Sequence, residues 1–328
     1  MSNSYIKTSS PHIKTDDTTR ILMIDMLIAL SPALVMGIVY FGFRALTITC
    51  VSVISCIVFE YLYRRLLKKS FSIGDLSAVV TGVLLAFCLP SSVPYWIPVV
   101  GAFFAIIVVK QLFGGIGKNF VNPALAARAF LFSWPVLMTT WPEPFKNVAL
   151  LVSDPNDIVT GATPLSIIKF KSGELPDLNF FQYFIGEKGG SLGETSALFL
   201  LLGGLYLLYR KVITWHIPVT FIGTVAILTY IFHWNYSPFE FMYVNIFSGG
   251  LILGAVFMAT DYTTSPITRR GKIIYGIGCG IITVFLRYFG GYPEGVCYAI
   301  LIMNTFVWLI DKYTRPRQYG TGGGALHV

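Results

Sequence analysis

Ten stretches of this 328-residue chain are apolar enough, for long enough, to read as membrane helices, and this pattern constrains the fold more than any other feature. They run over about 21–43, 45–62, 76–90, 95–113, 123–140, 195–209, 216–232, 244–261, 272–289 and 296–311. A hydrocarbon core takes about 20 apolar residues per helix, so the third and sixth stretches are short and are expected to be tilted or broken. Backbone in lipid must satisfy its own hydrogen bonds. The expected fold class is therefore an all-α polytopic membrane protein with about ten transmembrane helices. Only 12% of the residues are charged, about half the ~25% of a soluble domain. That is too little to coat a water-facing surface, which excludes a soluble enzyme, a disordered chain and a nucleic-acid binder.

Ten spans put both termini on one side, and the basic residues choose the side. Lys7, Lys14, Arg20, Arg64, Arg65, Lys68, Lys69, Lys110, Lys118, Arg210, Lys211, Arg269, Arg270, Lys272, Lys312, Arg315 and Arg317 fall on one face, 17 of the 24. Arg44, Lys146, Lys169, Lys171, Lys188 and Arg287 fall on the other, and Arg128 lies within the fifth span. The positive-inside rule then predicts cytoplasmic termini and accounts for the net charge of +8 without an anionic partner. The predicted layout is a cytoplasmic segment over 1–20, a first five-helix unit over 21–140, an extracytoplasmic loop over 141–194, a second five-helix unit over 195–311 and a cytoplasmic tail over 312–328. The polar first twenty residues argue against a cleavable signal peptide. The loop carries Glu143, Asp154, Asp157, Glu174, Asp177, Glu187 and Glu194 against four lysines. A loop of that length is usually functional or flexible. The five cysteines and four histidines are scattered and form neither a disulfide framework nor a metal-ligand spacing. The cysteines read as small packing residues.

Shifting the chain by 176 residues aligns Gly74 with Gly250, Pro90 with Pro266, and Phe113-Gly114-Gly115 with Phe289-Gly290-Gly291. Spans three to five then match spans eight to ten. An odd repeat of five spans inverts the second copy, and inverted repeats typically build a site near the midplane from broken helices. A shift of 119 competes, aligning Gly74-Asp75 with Gly193-Glu194 and Trp96 with Trp215, but its matches sit less well at helix breaks.

Three groups of residues carry chemistry. Thr160-Gly161-Ala162-Thr163-Pro164-Leu165-Ser166, in the acidic loop, offers hydroxyls and a close backbone approach suited to phosphate, or an ordinary turn. Gly114-Gly115-Ile116-Gly117-Lys118-Asn119 is not a P-loop, because the Ser or Thr after the lysine is missing and no strand precedes it. The amides of Asn119 and Asn122 suit a heteroaromatic ring edge. Equally, Asn122-Pro123 suits a helix N-cap. Polar groups also fall at membrane depth: Asp25, Glu60, Thr81, Arg128, Thr260 and Asp261. Such residues suggest function by default, with Asp25 and Arg128 the deepest by position. Glu60 and Asp261 also read as interfacial ion pairs near Arg64 and Arg269, which would be worth little.

The run Gly114-Gly115-Ile116-Gly117-Lys118-Asn119-Phe120-Val121-Asn122-Pro123-Ala124-Leu125-Ala126-Ala127-Arg128-Ala129-Phe130, followed by Thr160-Gly161-Ala162-Thr163, resembles the family of membrane proteins that includes RnfD, the D component of the Rnf complex. That complex is an ion-translocating ferredoxin:NAD oxidoreductase, and the family also holds NqrB, the B component of the sodium-translocating NADH:quinone reductase. The likeness runs over about 20–312. It implies ten helices in two inverted five-helix repeats, similar to urea transporters. It implies FMN in a phosphoester bond to Thr163, attached on the outer face by a flavin transferase, with Thr160, Gly161 and Ala162 completing the motif. By analogy with the quinone reductase it implies riboflavin held without a covalent bond by Thr81, Asn119 and Asn122. It further implies a prokaryotic inner-membrane complex whose other Rnf components are A, B, C, E and G, coupling electron transfer to Na+ or H+ movement. Asp25, Glu60 and Asp261 are the candidate ion path. Two other readings compete: a secondary transporter or channel for a small solute, which predicts flux without flavin, and a scaffold, which predicts electron transfer that tolerates loss of both flavins.

Overall fold

A computed structural model describes residues 17–69, 73–145, 161–170, 180–194, 196–234 and 236–316. The described residues are helical, without strands. Among the described residues, four helices are long and apolar enough to cross a bilayer: α1 (Thr19–Phe41), α2 (Phe43–Leu66), α13 (Arg269–Phe289) and α14 (Val296–Thr314). Between them lie α3 (Ser77–Phe87), α4 (Trp96–Phe103, continued by a π-helical stretch Phe104–Gln111), α5 (Pro123–Leu131), α6 (Pro135–Met138), α7 (Pro164–Phe170), α8 (Phe180–Ile185), α9 (Ala197–Tyr209), α10 (His216–Ile231), α11 (Pro238–Phe247) and α12 (Leu251–Leu253, continued by a π-helical stretch Gly254–Met258). The protein is a polytopic helical membrane protein.

Local chemistry accounts for the breaks. Gly42, at φ 74°, ends α1 and starts α2, so two long helices join through one residue. The predicted fifth span over 123–140 stops instead at Leu131, because Pro135 cannot continue a helix and restricts Trp134 before it. The predicted eighth span over 244–261 is a broken pair, α11 and α12, bent by 59°. Gly249 and Gly250, at φ 75° and 66°, make that bend possible.

Packing is close where side chains are small. Within a membrane such approach replaces the hydrophobic drive that water supplies. Gly276 and Gly280 of α13 lie against Thr220 and Thr224 of α10, and Gly203 of α9 lies directly on the Ala29 carbonyl of α1. A methyl at position 203 has nowhere to go. Gly203→Ala should therefore destabilise the protein by about 1–3 kcal/mol through overpacking, read as a lower thermal midpoint in detergent. Gly223→Ala, inside α10 with open space around it, should hold the midpoint or raise it slightly, because Ala is favoured over Gly in a helix interior by about 0.5–1 kcal/mol.

Four cysteines are buried, Cys50 is exposed, and all five are free. Ile24, Ile28, Val35 and Val39 of α1, with Ile54, Val58 and Leu62 of α2, form an exposed apolar face suited to lipid.

Candidate functional site

Among the described residues, and apart from Asp25 of α1, buried charge gathers in two places, at opposite ends of α3. At its N-terminal end, Glu60 of α2 is fully buried and lies 2.9 Å from Lys110, with Arg64 at 3.7 Å. Lys110 also donates to Ser77 Oγ at 2.6 Å. The π-helical stretch brings Lys110 inward; π turns often mark functional sites. The expectation of a weak interfacial pair for Glu60 is thus corrected: its Arg64 partner is present, but the pair is buried and Lys110 is closer. Lys110, counted among the loop cations, is 3% exposed.

At the other end of α3, the backbone N–H groups of Leu192 and Gly193 donate to Leu89 O and Phe87 O. They seat the segment carrying Lys188 and Glu194. Both residues read as loop charges in the sequence, yet they are 2% and 3% exposed. Glu194 accepts from the Gly249 N–H, and Lys188 donates to Phe247 O. Arg287, which read as a helix-end cation, is buried and donates to Asn245 O at 2.5 Å and Ser248 O at 3.0 Å. Arg128, buried on α5, pairs with Glu294 and faces the Phe132 ring at 5.8 Å. Burial pushes the Lys188 ammonium down to about 8. No sequence signal joined these five groups.

Eleven residues at 1.5 Å each make α3 about 16 Å long. The two charged groups are therefore separated by roughly half the ~30 Å of a hydrocarbon core.

The predicted residues have these places. Thr163 is 2% exposed. Its Oγ1 accepts from the Ser166 N–H at 3.3 Å and its carbonyl accepts from Ser166 Oγ and Ile167 N–H, in the manner of an N-cap on α7. Gly161 N–H donates to Trp141 O at 2.9 Å, Ala162 is exposed, and Thr160 lies outside the described residues. Lys169 of α7 donates to the carbonyls of Gly290 and Tyr292, and Leu165 rests on Gly249 beside Arg287. The threonine motif is thus docked at the end that holds Lys188, Glu194 and Arg287.

Asn122 caps α5, accepting from Ala124 N–H at 3.0 Å and Leu125 N–H at 3.3 Å, and donates to Met258 O at 3.3 Å. Two amide hydrogens are available in such a side chain, so one remains. Asn119 donates to Val121 O, and Thr81 donates to Ser77 O. Among the described residues these three do not hydrogen-bond to one another. Asp25 is held by Tyr206 at 2.8 Å and by Arg210 at 3.2 Å, with Arg210 44% exposed. Its partner lies just past the end of α9, so sequence position overstated its depth. Asp261 accepts from Thr263 and Thr264 hydroxyls at 3.1 and 3.3 Å, in place of the expected pairing with Arg269. Thr260 donates to Val256 O.

A polytopic helical bundle with paired charges buried at both ends of one short helix belongs to the class of membrane proteins in which such residues point to a functional site. The chain belongs to the NQR2, RnfD, RnfE family, whose model matches residues 6–320. It is similar to the D component of the Na(+)-translocating ferredoxin:NAD(+) oxidoreductase complex of Acetobacterium woodii, with 47% identity over 95% of this chain and 94% of that protein. It is also similar to the D component of the proton-translocating ferredoxin:NAD(+) oxidoreductase complex of Clostridium ljungdahlii, with 44% identity over 97% of each chain. The D component of the ion-translocating oxidoreductase complex of Halorhodospira halophila is 37% identical over 95% of this chain and 94% of that protein.

Proposed function

We propose that this chain is a membrane subunit of an ion-translocating ferredoxin:NAD(+) oxidoreductase complex, relaying electrons and coupling them to Na+ or H+ transport. Its near full-length likeness to the D components of such complexes carries the reading. It is a part of a translocating oxidoreductase, working with the other Rnf components (A, B, C, E and G), and is not catalytic alone. Its place is the prokaryotic inner membrane, with both termini cytoplasmic and Thr163 on the outer face.

FMN on Thr163 fits what surrounds that residue. The hydroxyl oxygen serves as a hydrogen-bond acceptor, a role an ester oxygen keeps. Lys169, part-exposed on the short helix that Thr163 caps, puts a cation near the motif, which favours a phosphate. A bound flavin supplies one- and two-electron redox states. Thr160, Gly161 and Ala162 complete the attachment motif, and a flavin transferase performs the attachment. For riboflavin, Asn122 retains an amide donor, and the hydroxyl of Thr81 and the amide of Asn119 retain acceptor capacity. These residues would hold it at the opposite end. Glu60, Asp25 and Asp261 are the candidate ion path; Glu60, fully buried beside Lys110, is the best placed of the three.

Two inverted five-helix repeats, ten helices in all, are part of the reading. Supporting them, α3, α4 and α5 correspond to α12, α13 and α14 at the 176-residue shift. Leu76 and Gly250, at φ 61° and 66°, start the short helices α3 and α12. α2 packs on α4 as α10 packs on α13. The broken pair α11–α12 also favours a solute transporter, but the cavity beside it, about 10 Å³, is the size of one water and too small for an organic solute.

The test is ferredoxin-dependent NAD reduction with ion uptake in inverted membrane vesicles. Both should vanish when the gene is deleted and return with the intact chain, and the denatured band of this protein should fluoresce as a flavoprotein. Undiminished coupled activity in the deletion strain would exclude the reading.

A further inference from the structure

The break between α11 and α12 leaves backbone carbonyls at one half-helix end and N–H groups at the other. In broken-helix transporters the carbonyl end holds a coupling cation and the N–H end holds an anionic group. Here the chain fills both positions itself. Arg287 spans the carbonyls of Asn245 and Ser248, Lys188 donates to Phe247 O, and Glu194 accepts from the Gly249 N–H. The two cations are not equivalent. Arg287 is locked by a planar fork across two carbonyls, whereas a lysine is a point charge on a flexible stem. Glu194 and Phe247 also line one small cavity of about 10 Å³, walled further by Ala197, Leu200, Ile246 and Leu251, room for about one water-sized occupant. Beside it, the hydroxyl of Ser248 is 1% exposed and makes no hydrogen bond among the described residues. A buried hydroxyl without a partner is costly.

We propose that this break is a binding site for one monovalent alkali cation, and that Lys188 is a tethered occupant which the free cation replaces at Phe247 O beside the Glu194 carboxylate. The ligands are hard oxygens: the Glu194 carboxylate, Phe247 O and Ser248 Oγ. Lys188, Arg287 and Arg128 against Glu194 and Glu294 give the buried group one excess positive charge. Exchange of the departing ammonium for an alkali ion leaves that excess unchanged. The inference rests on the ion-translocating reading and names where in this chain a cation is held.

The test uses the purified complex, with sodium replaced by choline at constant ionic strength, and follows the thermal midpoint of this chain. Lys188→Met removes the competitor, so the sodium concentration giving half-maximal stabilisation should fall at least tenfold from wild type. Lys188→Met/Glu194→Gln should lose the response. Equal midpoints in sodium and choline for Lys188→Met would overturn the proposal. Where Lys188→Met does not assemble, amine acylation of the wild-type complex replaces it. Peptide mass spectrometry should show more modified Lys188 in sodium than in choline, and labelling that ignores the salt would overturn the site. Sodium binding without ion uptake in vesicles would count against the transport reading alone. Uptake without sodium binding here would count against this site alone.

Discussion

A Thr163→Ala variant, matured in cells that possess the flavin transferase and purified with its complex, should give a denatured band without flavin fluorescence, while Thr163→Ser should keep it. The effect is all-or-none because an ester needs the hydroxyl and serine supplies one. Structural damage is a small competing effect. Thr163 Oγ1 accepts a single backbone hydrogen bond at the start of α7, and losing such a cap costs about 1 kcal/mol. Leu165 on Gly249 and Lys169 on the Gly290 carbonyl still dock the helix. The variant should therefore assemble, and its dark band would report lost chemistry rather than a lost fold. A fluorescent Thr163→Ala band would move the attachment elsewhere. A dark wild-type band would remove the covalent flavin altogether.

Lys110→Met should destabilise the protein by about 3–5 kcal/mol, the usual result of removing one partner from a buried ion pair. Glu60 would lose its closest cation, keeping Arg64 at 3.7 Å. Against a net stability of about 5–15 kcal/mol this is a large share. The double variant Glu60→Gln/Lys110→Met should recover most of the loss, because it leaves no uncompensated carboxylate in the bundle. The measurement is the thermal inactivation midpoint in detergent for all four members of the cycle. Strictly additive midpoints would show that the two side chains do not act as a pair. If Glu60 lies on the ion path, the double variant should be stable yet uncoupled, which separates stability from transport.

Hydrophobicity is a local average, so the apolar helical character and the family likeness could be read along the chain, whereas the interruptions, expected in the third and sixth spans, fall in the fifth and eighth. Pro135 and Gly249-Gly250 were visible as residues, but whether they bend a span or end it depends on what packs beside them. Sidedness rules treat a charge in a connecting segment as solvated. Lys188 and Glu194 break that assumption because their segment folds back onto the end of α3.

What the amino-acid order determined alone was the class of molecule: too few charges for water, enough apolar length for many helices, and one threonine motif at a recognisable distance from one glycine-asparagine run. Tertiary structure alone decided which charges meet. Glu60 and Lys110 are 50 residues apart, Arg128 and Glu294 166, and Asp25 and Arg210 185. Pairing over such separations leaves no periodicity to read, because the cost of burying each charge is offset only by a partner that folding brings in from elsewhere.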